Sequence, residues 1–239
     1  MRGSAGQGFL AGLPPTGPAT KYICIAIAAV SVLAAVAQRT FGIGTRELQF
    51  QVGPILDLQL WRLVTYPFVV SQPLGLLLGL LVFWLLGRSF EYRWGSRDFL
   101  VFFVSSSLGA GIIALPLYFV LNALGLFQEI GIGEGPFAVI DALFVALAAA
   151  SPNANVLLGF VFPIRAKTLV YCIIGFDVLT GLMTGAAALS ITLGGLAMGY
   201  GLVTGLWRPQ RLFDRLRRVK TPPSRRSLYV VPPRDETLH

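Results

Sequence analysis

Apolar positions fall in long blocks along this chain, and polar ones gather in short clusters between them. Six blocks run about from Tyr22 to Ala37, Val69 to Leu86, Phe99 to Leu121, Pro136 to Ala150, Thr168 to Met183 and Ala186 to Trp207. Blocks so poor in charge predict helices that cross a bilayer, which takes about 20 apolar residues per span. Several are at or below that length, so their ends are soft. Pro116 inside the third suits a membrane bundle, where neighbouring groups satisfy the freed carbonyl, and Pro136 suits a first helical position. Between the blocks lie a mixed segment from Gln38 to Pro67, a charged hairpin from Leu85 to Asp98, and a loop from Asn122 to Gly135 with acids but no Lys or Arg. Ser151 to Lys167 breaks the chain before the fifth block. The predicted fold is an all-α membrane protein, a six-transmembrane-helix bundle over 21–207. Residues 1–20 read as a flexible arm and 208–239 as a basic tail.

Composition strengthens this. The 239 residues are 55% hydrophobic and 13% charged, about half the charge of an ordinary soluble domain, with a mean hydropathy of +0.72. The net charge of +8 does not point to nucleic acid, because much of it directly follows the last block. Arg208 to Lys220 interleaves Leu212, Phe213 and Leu216 with basic residues, which predicts a short amphipathic helix on anionic headgroups held by Arg211, Arg215, Arg217 and Arg218. The hairpin and break segments carry Arg88, Arg93, Arg97, Arg165 and Lys167, whereas the loops after the third and fifth blocks carry no Lys or Arg. By the positive-inside rule both termini are cytoplasmic, against the trend of Arg39, Arg46 and Arg62.

Candidate chemistry is sparse. Cys24 and Cys172 sit in apolar blocks as small hydrophobes, and the sole histidine is His239. No cofactor or metal set is expected. Gly195 and Gly199 form a small-xxx-small face for close helix packing. Asp141 and Asp177 lie inside blocks, where ionisable groups are functional suspects. Paired carboxylates sharing a proton are the sharper reading, and hydrogen-bonded structural groups the plainer one. Ser105, Ser106 and Ser107 read as packing positions. Glu134 reads as a solvated loop carboxylate.

Several motifs, in order, resemble the rhomboid intramembrane serine proteases and their inactive relatives. Trp61-Arg62 is similar to the Trp-Arg pair of the first external loop. Glu91, Arg93, Gly95 and Ser96 resemble the Glu-x-Arg-x-Gly-Ser pattern that ties the hairpin after the second helix. Phe162 to Lys167 resembles the entry to the fifth helix, with Asp177 inside it, and Leu193 to Gly199 is similar to the glycine-rich sixth. The catalytic positions differ. The Gly-x-Ser-Gly stretch reads Gly133-Glu134-Gly135-Pro136, with Gly135 at the nucleophile. The histidine position holds Thr192, and the oxyanion positions hold Gly75 and Gly79.

A serine hydroxyl needs an adjacent base to act as a nucleophile, and no internal histidine is available. The resemblance therefore implies a pseudoprotease without catalytic residues. Its expected partners are the lipid bilayer and transmembrane segments of other proteins, engaged through a lateral opening beside the second and fifth helices during quality control, trafficking or assembly. A peptidase with non-standard catalytic residues and an accessory subunit of a larger membrane complex are the alternatives.

Overall fold

Glycine makes the tightest corners of this protein. The computed structural model describes residues 16–125, 132–150, 155–158 and 162–205. Helix α1 spans Pro18–Phe41. The connection to the next long helix holds three short ones, α2 (Thr45–Leu48), α3 (Val52–Leu56) and α4 (Arg62–Thr65), then a 3-10 turn, Tyr66–Phe68. Next come α5 (Pro73–Trp94), α6 (Ser96–Ala123) and α7 (Phe137–Ala150). Strands β1 (Asn155–Leu158) and β2 (Phe162–Arg165) pair antiparallel, Asn155 opposite Arg165. Helices α8 (Ala166–Thr184) and α9 (Ala186–Thr204) complete the described chain. Gly95 alone separates α5 from α6, and Gly185 alone separates α8 from α9. Their φ angles, +83° and +114°, lie where a side chain is rarely tolerated.

Three expectations change. The charged stretch from Leu85 to Asp98 is no loop: α5 continues through Trp94 and α6 begins at Ser96. The helices can carry these charges because Arg93, Arg97 and Asp98 are exposed near their ends and Glu91 is hydrogen-bonded. Arg88 is buried and folds back so that its guanidinium lies 4.6 Å over the Trp84 ring, a cation against an aromatic face. The break before the fifth block contains the β1–β2 hairpin, a small addition to an otherwise all-α fold. Helix α1 begins at Pro18, three residues inside the stretch read as an arm. The basic tail, with Arg211, Arg215, Arg217 and Arg218, lies outside the described residues.

Among the described residues five helices, α1, α5, α6, α8 and α9, are long and apolar enough to cross a membrane. Helix α7 has 14 residues, about 21 Å at 1.5 Å per residue, against a hydrocarbon core of about 30 Å. It is nonetheless central, with Ala138, Val139, Ala142 and Leu143 fully buried. Helix α9 packs on α6 and α7 and is the most buried of the five long helices. Its glycines explain how closely it approaches. A Cβ on Gly194 would stand 2.6 Å from the carbonyl oxygen of Ala110 on α6. On Gly195 it would collide with the carbonyl oxygen of Ala138 on α7, and on Gly199 it would stand 2.5 Å from the Cα of Ala142. Lipid supplies no hydrophobic drive between helices, so backbone approach of this kind carries much of the packing.

At the start of α1, the buried carboxylate of Glu91 accepts the backbone N–H groups of Ala19 and Thr20, both at 2.8 Å, and the hydroxyl of Ser96 at 2.6 Å. Pro18 opens the helix and Gly17 precedes it, where a Cβ would collide with the Glu91 carboxyl group. One side chain on α5 thus caps α1 and fixes the start of α6. Arg93, two residues on, is exposed.

Replacing Glu91 by Ala strands buried amides, and the thermal midpoint in detergent should fall by the equivalent of about 3 kcal/mol or more. Glu91→Gln should lose less, because an amide oxygen still accepts. Gly195→Val should abolish the monodisperse bundle on size exclusion. Gly175→Ala, with nothing within 4 Å of the added carbon, should leave it intact.

Candidate functional site

The residues at the catalytic positions of the resemblance gather around hydrocarbon. Gly135 has φ +78°, and its N–H donates to the Tyr66 carbonyl at 2.9 Å. A side chain there would point at the Phe137 ring, 2.9 Å away, and at Val70, 3.0 Å away. Gly79 on α5 faces the same Phe137 ring at 3.5 Å, and Gly75 faces Val70 at 3.5 Å. Phe137 and Val70 therefore fill the space that three of the four positions share. The fourth, Thr192, returns its hydroxyl to the Leu189 carbonyl of its own helix at 3.1 Å. Its neighbour Ile191 presses its tip against Gly133. No hydroxyl among these four positions faces a base.

The segment from Gly42 to Gln72, between α1 and α5, is stitched down by polar groups. Phe50 and Gly133 exchange both backbone bonds, at 2.8 and 3.0 Å. Ser31 on α1 donates to the Phe68 carbonyl and accepts the Val70 N–H. The hydroxyl of the fully buried Tyr66 donates to the Ser107 carbonyl on α6 at 2.8 Å, and burial pushes its ionisation well above the usual range. The Arg62 guanidinium donates to the carbonyls of Arg46 and Gln49, at 2.5 and 3.0 Å, and to the Gln59 side chain at 2.8 Å. Burial lowers its pKa, and nearby Glu47 opposes that. Trp61 beside it is exposed.

Glu134 closes the rim. Its carboxylate accepts the Ser71 N–H at 3.1 Å, the Ser71 hydroxyl and the Gln49 side-chain amide. It is thus a structural clasp rather than a freely solvated group. Sequence reasoning missed Gln49, Ser71, Val70 and Phe137. Only Phe137 carried a signal, a large ring two residues after a glycine at the nucleophile position.

Asp141 on α7 and Asp177 on α8 are both buried, on helices that pack together, and lie within electrostatic reach of each other. Each keeps one carboxylate oxygen without a hydrogen-bond partner among the described residues. No group of three or more His, Cys, Asp or Glu among the described residues could hold a metal ion.

A bundle of apolar helices that buries its polar groups in pairs and caps is a polytopic integral membrane protein. Residues 21–206 match the family described as eukaryotic integral membrane protein (DUF1751). The chain belongs to that family. No curated protein matches it.

Glu134→Ala should release three donors and loosen residues 49–72 by about 1–2 kcal/mol. Hydrogen–deuterium exchange in detergent should then rise at the Ser71 amide, while the Phe50–Gly133 pair stays protected.

Proposed function

We propose that this protein is a rhomboid-like pseudoprotease that binds transmembrane segments of other membrane proteins and steers their quality control, trafficking or assembly. The observation that carries this reading is the replacement of a reactive cavity by Phe137 and Val70, packed between Gly79, Gly135 and Gly75. A hydroxyl gains nucleophilicity only beside a base, and this space holds hydrocarbon instead. The clasp of Glu134 over it favours a scaffold rather than a gate to a catalytic chamber. In this reading both termini are cytoplasmic and α7 counts as a sixth, short span.

Client contact falls to α8. Helix α8 packs on α9 and α7 and is the least buried of the five long helices. Tyr171, Phe176, Leu179 and Met183 are exposed along it. A client helix would lie along this face.

A photo-crosslinking residue at Leu179 should capture single-pass membrane proteins, whereas one at buried Ile27 should capture none. Capture of one protein at fixed stoichiometry would instead favour an accessory subunit. Incubation with a fluorophosphonate probe should label no serine, and labelling of any would return the chain to the enzymes.

A further inference from the structure

Helices α1 and α6 are bridged at their starts by the Glu91 carboxylate. Between them lies an open, apolar groove of about 310 Å³, lined by Tyr22, Ile23 and Ala26 on α1, Ser96 and Leu100 on α6, and Phe68. We propose that this groove holds one acyl chain of an anionic glycerophospholipid, with the phosphate lying at the basic end of the bundle.

The dimensions argue for a lipid chain rather than a protein helix. From Pro18 to Ala26 the groove follows α1 for eight residues, roughly 12 Å at 1.5 Å per residue. Phe68 bounds it there, held by its own packing on Phe103 at 5.7 Å between ring centroids and by Ser31 on its carbonyl. A hydrocarbon core of about 30 Å has leaflets about half that deep, so the groove matches one leaflet. A transmembrane helix of a partner would have to continue past Phe68. The wall is almost wholly hydrocarbon, which suits an acyl chain and offers nothing to a polar ligand.

Charge selects the headgroup. Lys21 is exposed in the first turn of α1 and Arg97 in the first turn of α6, at the end of the groove where both helices begin. Arg93 is exposed on the last turn of α5. Two acids are nearby. Glu91 is buried and already accepts three hydrogen bonds, and Asp98 is exposed on the first turn of α6. Among the described residues, three exposed cations and one exposed carboxylate thus lie at the level of the headgroup. The site is separate from the client-binding face on α8 and stands whether or not that reading does.

Native mass spectrometry of the delipidated full chain, given equal phosphatidylserine and phosphatidylcholine in detergent, tests this. One phosphatidylserine per chain should survive activation that strips phosphatidylcholine. Ala26→Trp, which fills the groove, should remove that adduct while the thermal midpoint shows Glu91 still capping α1. Lys21→Gln with Arg97→Gln touches only exposed side chains, so folding is preserved. It should cut the preference for phosphatidylserine by about tenfold or more, at about 1 kcal/mol per surface cation. Equal retention of both lipids by the unaltered chain would overturn the proposal. So would an undiminished adduct on Ala26→Trp, or a double-Gln variant with unchanged selectivity.

Discussion

A carboxylate buried at the end of a membrane helix is costly unless its lone pairs find donors, and Glu91 finds them on two other helices. It takes the orphan amides of α1 at Ala19 and Thr20, which no carbonyl within α1 could satisfy, and the hydroxyl that opens α6. The positive end of the α1 dipole favours the negative charge there. Because Glu91 belongs to α5, this single group sets how α1, α5 and α6 meet. The groove between α1 and α6, Gly17 packed under the carboxyl and Gly95 at the corner all follow from where it holds the chain ends.

The other half of the bundle is held by shape rather than charge. Gly194, Gly195 and Gly199 bring α9 against the backbones of α6 and α7, and this closeness lets a 14-residue α7 sit in the middle. A short central helix places Asp141 deep among apolar residues, within electrostatic reach of Asp177. Near its start, Phe137 fills the space that Gly79 and Gly135 leave open. Glycine here does two jobs: on α9 it permits approach, and at Gly79 and Gly135 it makes room for a ring.

The family to which the chain belongs is defined as integral membrane proteins, in keeping with five helices apolar and long enough to cross a bilayer. Apolar side chains are exposed on α1, α5, α6 and α8 alike, and two of these surfaces carry the proposed contacts. The outer face of α8 is apolar along its length. The α1–α6 groove is half as deep and has a basic end. These features suit different occupants, because a helix needs a full-depth surface and a lipid chain needs only one leaflet.

Block hydrophobicity alone was enough to read a membrane bundle, since charge is too costly in hydrocarbon for the sequence to hide its spans. The spacing of Gly195 and Gly199, and the absence of an internal histidine, were equally plain. The sequence could not say that Arg88, Glu91 and Arg93 lie within helices, because a run of charges looks the same in a loop as at a helix end whose partners are about 70 residues away. Nor could it pair Glu134 with Gln49 and Ser71, or set Phe137 against Gly79. Those choices belong to tertiary structure, for a carboxylate's partners and a ring's cavity depend on which backbones approach, and close approach is decided only when the helices pack.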